Sequence, residues 1–385
     1  PELAEICARR GIRFIGPDAD VIRKMGDKTQ ARDTMRKAGI PITPGSIGNV
    51  ADLDEALSIA DDIGYPIMLK ATSGGGGRGI RRCDNADELR RNYDRVISEA
   101  EKAFGNAEVF IEKYIANPRH IEVQILADHH GNVVHLFERD CSIQRRHQKL
   151  IEIAPSPQLS GEQRALIGDL AVRAAEATDY TNAGTVEFLM DSGDNFYFME
   201  MNTRLQVEHP VTEEITGVDI VQEQIRIASG LKLSYSQDQI QSRGYAMEFR
   251  INAEDPKNDF LPSFGRITRY LAPGGPGVRT DGAIYTGYEI PPYYDSMCAK
   301  LIVWSLTWDG LIDRAGRALR DIGVFGVKTT IPYQLEILRN ADFQAGKFDT
   351  SFVDTHPELT HYSVHRSNRD LAAASAASLA ANMGL

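Results

Sequence analysis

Gly184-Thr-Val-Glu-Phe-Leu-Met190 and Phe196-Tyr-Phe-Met-Glu-Met201 alternate apolar and polar residues on either side of the turn-rich segment Asp191-Ser-Gly-Asp-Asn195. This pattern predicts two antiparallel strands joined by a short turn. Glu187 and Glu200, one on each strand, are expected to lie near each other across the hairpin, although the alternation leaves the register open.

The next segment, Asn202-Thr-Arg-Leu-Gln-Val-Glu-His-Pro210, brings an amide, a guanidinium and a carboxylate to the end of this hairpin. Two carboxylates with an adjacent amide suit Mg²⁺, which keeps several waters and is completed by substrate phosphates. We therefore expect Glu187, Glu200 and Asn202 to hold a divalent metal beside a nucleotide. The alternative is that both glutamates are solvated hairpin residues.

A site for a small planar oxyanion is predicted within the same segment. Arg204 offers bidentate hydrogen bonds, Gln206 and Val207 follow it closely, and Glu208 is placed as a general base. Arg250, on a later predicted strand, supplies a second guanidinium for an enolate-like oxygen that develops during the reaction.

The composition excludes several classes of protein. With 385 residues and 42% hydrophobic content, the chain is long enough for two or more globular domains. A net charge of -11 argues against a general nucleic-acid binder. No apolar run approaches the roughly 20 residues that span a bilayer. The four scattered cysteines lack metal-binding spacing, so we expect reduced thiols and a soluble, cytoplasmic protein.

The order of predicted elements divides the chain into four parts. A helix and a predicted strand at Ile12-Arg-Phe-Ile15 cannot make a core alone, so residues 1–24 are expected to be the remnant of a larger N-terminal domain. Residues 25–44 read as a helical linker, and residues 45–115 as a compact α+β unit. Residues 116–385 are expected to form a larger unit around an antiparallel sheet with one buried face. Within it, strands are predicted at 120–126, 133–138, 246–251 and 300–304, and helices at 311–321, 331–340 and 371–381.

A glycine run follows the predicted strand that ends at Lys70. Its backbone N–H groups, at Gly75, Gly76, Gly77 and Gly79 among others, can close over phosphate oxygens because few side chains intervene. Lys70 would reach the phosphates as a point charge. The spacing matches neither a P-loop nor a Rossmann fingerprint, and a flexible linker is the alternative.

Two further segments are candidates for nucleotide contacts. Glu112-Lys-Tyr-Ile115 ends a strand where the two units meet, and its backbone is placed to bind an adenine edge. The segment Glu138 to Lys149 concentrates cations in an acidic chain, which is also typical of a solvated face. Lys149 and His147, at alternate positions of an extended segment, are expected to project to one side, and His120 to join them.

Six motifs together resemble biotin carboxylase, the ATP-grasp component of biotin-dependent carboxylases, over nearly the whole chain. They are Met25-Gly-Asp-Lys28, Ser73 to Gly79, Asn117-Pro-Arg-His-Ile-Glu-Val-Gln124, Glu138 to Lys149, Glu200-Met-Asn-Thr-Arg-Leu-Gln-Val-Glu-His-Pro-Val-Thr-Glu213 and Arg250-Ile-Asn-Ala-Glu-Asp255. The resemblance implies an α+β ATP-grasp fold, with residues 45–115 as a small lid domain and residues 116–385 as the central and C-terminal domain. It identifies residues 1–24 with the end of a Rossmann-like domain.

The activity implied is ATP- and bicarbonate-dependent carboxylation of biotin, by way of carboxyphosphate and with two Mg²⁺ or Mn²⁺ ions. The biotin is linked to a biotin carboxyl carrier protein, and a carboxyltransferase component of acetyl-CoA or pyruvate carboxylase type completes the system. The resemblance also implies a homodimer when the chain is full length, and neither a nucleic acid nor a membrane is an expected partner.

The resemblance also assigns roles by position. It places Glu187, Glu200 and Asn202 at the metal. It places the nucleotide against Lys28, Lys70, Gly75, Gly76, Gly77, Gly79, Glu112, Lys113, Ile115, His120, Gln144, His147 and Leu189. It assigns bicarbonate binding to Lys149, Arg204, Gln206 and Val207. It assigns the role of base to Glu208 and stabilisation of the enolate to Arg250.

Two alternatives remain open at this point. Another ATP-grasp ligase, such as a carbamoyl phosphate synthase-like enzyme, also handles bicarbonate, and biotin-stimulated ATP hydrolysis would distinguish the two. The other alternative is an inactive, truncated scaffold fragment that binds a carrier protein without binding nucleotide.

Overall fold

A computed structural model describes most of the chain: residues 1–72, 79–105, 107–362, 372, 375–380 and 383. The helices are α1 Glu2–Arg9, α2 Ala19–Gly26, α3 Lys28–Lys37, α4 Leu53–Ile63, α5 Ala86–Phe104, α6 Gly161–Glu176, α7 His209–Thr216, α8 Ile220–Ala228, α9 Trp308–Asp321, α10 Ile331–Arg339, α11 Ala341–Gln344 and α12 Phe352–Thr355. The strands are β1 Ile67–Ala71, β2 Ile80–Cys83, β3 Val109–Lys113, β4 Arg119–Ala127, β5 Val133–Arg145, β6 Gln148–Ala154, β7 Asn182–Met190, β8 Phe196–Asn202, β9 Tyr245–Asn252, β10 Glu254–Asp255, β11 Leu261–Pro262, β12 Gly265–Arg266, β13 Arg269–Leu271, β14 Val278–Gly282, β15 Glu289–Ile290, β16 Met297–Ser305 and β17 Gly323–Phe325.

An eight-stranded antiparallel sheet organises the larger unit, in the order β14-β16-β9-β6-β5-β4-β7-β8. The hairpin predicted from residues 184–201 is its edge, formed by β7 and β8. The register that the sequence left open pairs Glu187 directly with Glu200. The prediction of an α+β fold built on an antiparallel sheet is confirmed.

The expectation that this sheet has one solvated face is wrong in the region of β4. Glu122 and Gln124, the polar residues of its alternating pattern, are both 0% exposed. Helix α6 packs on β4 and β5 from the apolar side, and α7 packs on β5, β6 and β9. Polar alternation here marks a second buried face whose side chains bind one another instead of water.

The smaller unit has a sheet and a core of its own. Strands β2, β1 and β3 form a three-stranded antiparallel sheet, with β1 in the middle. Helices α4 and α5 pack on it and enclose an apolar cluster that includes Leu69, Leu89 and Ile111. Gly45 runs beside β3 so closely that a Cβ there would lie 2.1 Å from the Ile111 carbonyl oxygen.

Two predictions near the ends of the chain have different outcomes. The strand predicted at Ile12-Arg-Phe-Ile15 is wrong, because that segment is irregular and both isoleucines are at least half exposed, at 59% and 50%. A strand is stable only when neighbouring strands pair with it, and no described strand does so there. Of the helix predicted at 371–381, residues 372 and 375–380 are helical and the others lie outside the described residues. No described helix combines the length and apolar character that crossing a bilayer requires.

Candidate active site

The predicted metal ligands lie together on the β7–β8 hairpin. The Asn202 side chain donates to Glu187 Oε1 at 2.9 Å and to Glu200 Oε1 at 3.4 Å. Burial raises the pKa of Glu200, and the facing Glu187 carboxylate raises it further. Two facing carboxylates that repel each other, with an amide beside them, fit a divalent cation that would relieve the repulsion.

Lys149 of β6 lies at the centre of the buried polar face. Its ammonium donates to Glu122 Oε2 at 2.5 Å and to Glu187 Oε1 at 3.3 Å, and it also binds Glu208 Oε1. Burial alone would lower the pKa of Lys149, but the surrounding acidic groups raise it well above its usual value. One charged ammonium therefore joins the predicted metal ligand Glu187 to the candidate base Glu208.

Glu208 is 2% exposed and immediately precedes α7. Lys149 binds its Oε1, and Arg250 Nη2 donates to its Oε2 at 2.9 Å. Arg250 is held in turn by Glu152, whose Oε1 lies 2.5 Å from the Arg250 Nε. Both oxygens of Glu208 are thus held in place by hydrogen bonds, and a general base must be positioned within hydrogen-bond reach of the proton it removes.

A second cation, Arg139 of β5, hydrogen-bonds several side chains of the buried polar face to one another. It is 0% exposed, and its guanidinium donates to Glu122 at 2.6 Å, Gln124 at 2.8 Å, Gln206 at 2.9 Å, Thr185 at 3.1 Å and Thr212 at 3.1 Å. Gln206 in turn donates from Nε2 to Glu187 Oε1 at 2.7 Å. Arg139 therefore links three strands and α7 to the predicted metal site.

Sequence reasoning missed both Arg139 and Glu122. The signal was present in the alternation of His120, Glu122 and Gln124 on β4, which pairs in register with β7 from Leu189 to Thr185. A polar stripe that crosses two adjacent strands at a predicted metal ligand indicates a buried network. The alternation by itself predicts a solvated face, and this prediction is wrong for the stripe.

Glu112 of β3 organises the opposite side of the site. It is buried and forms ion pairs with Lys70 of β1 and Arg32 of α3. Burial alone would raise the pKa of Glu112, but Lys70 and Arg32 outweigh burial and lower it. Arg32, which sequence reasoning also missed, donates to the Thr43 carbonyl at 3.0 Å, and its ion pair with Glu112 joins α3 to the smaller unit.

A cavity of about 420 Å³ opens beside the predicted metal ligands. Among the residues that line it are Lys28, Glu200, Asn202 and Arg204. Burial lowers the pKa of Lys28, and Glu200 opposes that shift. Arg204 is exposed and donates to the Leu205 carbonyl at 3.2 Å. The structure therefore brings a lysine predicted for the nucleotide and an arginine predicted for the oxyanion to one cavity.

Three predicted nucleotide residues lie on the large sheet. His120 Nε2 is 2.9 Å from Glu187 Oε2, and Leu189 pairs with His120 in register. Burial alone would lower the pKa of His120, but Glu187 raises it. Gln144 is buried and donates to the Cys141 carbonyl at 3.3 Å. His120 and Leu189 thus lie beside the predicted metal ligands.

The predicted contacts of the smaller unit are only partly described. Lys113 donates from Nζ to the Gly64 carbonyl at 2.8 Å, and its backbone N–H donates to the Pro44 carbonyl at 2.7 Å. Ile115 follows β3 and is partly exposed. Gly79 has φ of +69°, and a Cβ there would lie 2.9 Å from that of Ala71, so the position requires glycine. Gly75, Gly76 and Gly77 lie outside the described residues.

The expectation that His147 and Lys149 project together is wrong. Arg146 and His147 both have positive φ, 50° and 65°, and form the two-residue turn between β5 and β6. This is a turn typical of tight hairpins, and it leaves His147 exposed at the tip while Lys149 points into the polar face.

Cys141 is a packed thiol, and burial raises its pKa well above its usual value.

Two family models match the chain. Residues 27–236 match the ATP-binding domain of the carbamoyl-phosphate synthase L chain, and residues 248–355 match the biotin carboxylase C-terminal domain. The 2-oxoglutarate carboxylase small subunit of Hydrogenobacter thermophilus is 54% identical over 382 residues, which is 99% of this chain and 81% of that protein. A biotin carboxylase of Nostoc sp. is 57% identical over 352 residues, 91% of this chain and 79% of the relative.

Solved structures agree with these matches. The biotin carboxylase domain dimer of the Hydrogenobacter thermophilus 2-oxoglutarate carboxylase, in complex with MgADP, ADP and bicarbonate, is 55% identical with a TM-score of 0.90, covering 94% of this chain and 80% of that one. Biotin carboxylase from Campylobacter jejuni, in a β,γ-ATP complex, is 46% identical with a TM-score of 0.89, covering 92% and 79%. The fold and site are those of an ATP-grasp enzyme. The chain belongs to the biotin carboxylase family, as its motifs predict.

Proposed function

We propose that this chain uses ATP and bicarbonate to carboxylate biotin on a biotin carboxyl carrier protein, through carboxyphosphate. The observation that carries this proposal is the position of Glu208, whose two oxygens bind Lys149 and Arg250. The same Lys149 also binds Glu187, one of the two glutamates predicted to hold the metal. A base held beside a metal–nucleotide site suits phosphoryl transfer to bicarbonate, which depends on positioning and electrostatics.

In this reaction Glu208 removes the proton of bicarbonate, while Lys149, Arg204, Gln206 and Val207 bind the anion. The freed oxygen attacks the γ-phosphorus of ATP, the bond from that phosphorus to the bridging oxygen breaks, and ADP and carboxyphosphate form. Carboxyphosphate then yields CO₂ and phosphate. The biotin ureido nitrogen gives its proton to the released phosphate and bonds to the CO₂, and Arg250 stabilises the negative oxygen that develops on the ureido group.

The nucleotide lies between the two units in this proposal, with residues 45–115 as the lid and residues 116–385 as the central and C-terminal domain. A metal at Glu187, Glu200 and Asn202 would supply charge neutralisation for the phosphates. The nucleotide itself would contact Lys28, Lys70, Gly75, Gly76, Gly77, Gly79, Glu112, Lys113, Ile115, His120, Gln144, His147 and Leu189. The fixed positions of Glu112 and His120 support this assignment.

The partners we propose are the biotin carboxyl carrier protein, a carboxyltransferase component and a second copy of the chain. The Hydrogenobacter thermophilus relative, a carboxylase subunit whose biotin carboxylase domain was solved as a dimer, supports this proposal. We also propose a cytoplasmic location, because Cys7, Cys83, Cys141 and Cys298 are all free thiols.

The test is phosphate release from MgATP with bicarbonate, measured with and without free biotin. We expect release to require bicarbonate and to rise when biotin is added. A carbamoyl phosphate synthase-like enzyme, the class named by the model that matches residues 27–236, would respond to ammonia and not to biotin. The match of residues 248–355 to the biotin carboxylase C-terminal domain favours biotin as the acceptor.

The metal assignment predicts a change in metal requirement. In Glu200→Gln, the concentration of Mg²⁺ that half-saturates ATP cleavage should rise about tenfold, because one of two facing carboxylates is lost. Asp194→Asn is the matched control, since Asp194 is exposed in the turn of the same hairpin. A titration that gives Glu200→Gln and the control equal Mg²⁺ requirements would refute the assignment.

A further inference from the structure

Two glutamates lie next to Arg250: Glu152, which holds its guanidinium, and a second one that has no part in the roles described so far. Glu152 of β6 and Glu248 of β9 pair directly across the two strands, so their side chains leave the same face of the sheet. Both are 0% exposed. Directly opposed residues have Cβ atoms about 5 Å apart, which lets two carboxyl groups meet. We refer to Glu152 and Glu248 as the buried pair.

The hydrogen bonding of the buried pair is incomplete when both groups are ionised. Glu152 Oε1 accepts from Arg250 Nε. Within the described part of the chain, Glu152 Oε2 and both oxygens of Glu248 have no hydrogen-bond partner. Unpaired carboxylate oxygens in a dry interior are costly. A proton on Glu248, donated to Glu152 Oε2, would give each carboxyl group a partner.

The surrounding charges lead to the same conclusion. The charged groups that act on the buried pair are Arg250, Lys149, Lys300 and Glu208. Lys149 already binds three other carboxylates, and Lys300 donates to the Val207 carbonyl at 2.7 Å. If both members of the buried pair were ionised, Arg250 would face their two negative charges as well as that of Glu208. Like charges buried so close together cannot all stay ionised, and one proton removes the excess.

Apart from these charged groups, the buried pair lies near the Cys141 thiol, whose pKa burial raises with help from Glu152, and beside apolar side chains. On β16, the residue paired with Glu248 is Ile302. Ile302 packs with Val211 and Ile215 of α7 and with Ala154 and Ala246 in one buried cluster. Since these neighbours offer no polar side chain, the proton is most stable between the two carboxyl groups themselves.

We propose that Glu248 is protonated and donates a hydrogen bond to Glu152, and that the buried pair thereby positions Arg250 toward Glu208. The inference rests on the proposed function, because it assigns the pair to the same reaction. Thr330 Oγ1 and Gln334 Nε2 both donate to the Arg250 carbonyl, at 3.1 and 2.7 Å. With its main chain fixed in this way, Arg250 takes the direction of its side chain from Glu152 and Glu208.

The acid–base character of the two groups supports Glu248 as the protonated member. Burial raises the pKa of Glu152 to about 7, against the attraction of Arg250. Burial and the facing Glu152 raise the pKa of Glu248 well above its usual value. Groups with a raised pKa stabilise the fold below their unfolded pKa, and this stabilisation is lost as the pH rises through the folded values.

Glu248→Gln tests the proton directly, because glutamine can still donate to Glu152 and cannot ionise. At neutral pH we expect biotin-stimulated ATP cleavage within about twofold of wild type. The alkaline decline of kcat should move to higher pH, and the melting temperature should exceed that of wild type increasingly as the pH rises. The infrared band of a protonated carboxyl group, present in wild type at pH 8, should be missing from the variant.

Glu152→Gln tests the positioning. It removes the ionic partner of the Arg250 Nε, so kcat with biotin should fall about tenfold while the KM for MgATP is unchanged. Glu138→Gln is the control, since Glu138 is a buried carboxylate that binds Arg164 on another part of the sheet. The control is expected to lower stability and to leave both kcat and its pH profile unchanged.

The proposal is overturned if wild type lacks the protonated-carboxyl band, or if folded Glu248→Gln loses activity as severely as Glu152→Gln. An unchanged alkaline pH profile in Glu248→Gln would also overturn it. Failure of the proposed function would be seen separately, as wild-type ATP cleavage that biotin does not stimulate. In that case the infrared band and the pH dependence of the melting temperature still decide whether the pair holds a proton.

Discussion

Bicarbonate-dependent ATP cleavage is expected to fall by about 10²- to 10⁴-fold in Glu208→Gln, with little change in stability. The amide cannot accept the bicarbonate proton, so the attacking oxygen stays a poor nucleophile. The fold is expected to survive because Lys149 retains its ion pairs with Glu122 and Glu187, and Arg250 retains its ion pair with Glu152. Steady-state phosphate release and thermal unfolding, measured on the same samples, separate the two effects.

Glu214→Gln is the matched control for this experiment. Glu214 lies on α7, close in sequence to Glu208, and its carboxylate is 3.6 Å from Arg279 at a half-buried position. We expect this variant to keep the wild-type rate. A folded Glu208→Gln with a rate near that of wild type would show that another group removes the proton.

Arg139→Met is expected to lower the free energy of unfolding by about 3–5 kcal/mol, which is the usual cost of removing one partner from a buried ion pair. Glu122 would lose the 2.6 Å hydrogen bond that Arg139 donates to it. The buried side-chain amides of Gln124 and Gln206 would also lose a hydrogen-bond donor. Gln206 in turn orients Glu187, so metal affinity should fall as well. Denaturant unfolding and a Mg²⁺ titration measure these two consequences.

Arg139→Lys should not restore stability, because a single ammonium cannot reproduce a planar fork that reaches several strands. Arg317→Met serves as the control, since Arg317 is exposed on α9, where it pairs with Asp321, one turn away, and donates to the Gly274 carbonyl. The control should change stability little. If Arg139→Met were as stable as this control, the buried network would not be what holds the polar face together.

The sequence predicted those features that depend on local periodicity. The β7–β8 hairpin, its carboxylates and the positions of β4, β9 and β16 follow from alternation with period two, whereas β6, which carries Lys149, is not among the predicted strands. The candidate site could be predicted because its motifs are contiguous, from Glu200 to Glu208. The register that places Glu187 opposite Glu200 required the structure, because alternation is satisfied by every shift of two residues.

Other features depend on packing between distant segments, which a single sequence does not display. The polar alternation of β4 predicts a solvated face, whereas Glu122 is buried there and accepts from Arg139 and Lys149, which come from other strands. The turn at Arg146 and His147 was missed because neither residue is a usual turn former with positive φ. The strand expected at Ile12 failed since β-propensity does not provide a pairing partner.

The most direct test of the proposed activity is to follow labelled bicarbonate into biotin. The chain is incubated with MgATP, free biotin and isotopically labelled bicarbonate, and acid-labile label on biotin is measured. We expect label that depends on ATP and that is lost in Glu208→Gln, because the ureido nitrogen captures CO₂ released from carboxyphosphate. Bicarbonate-dependent ATP cleavage that leaves biotin unlabelled would contradict the assignment of biotin as the acceptor.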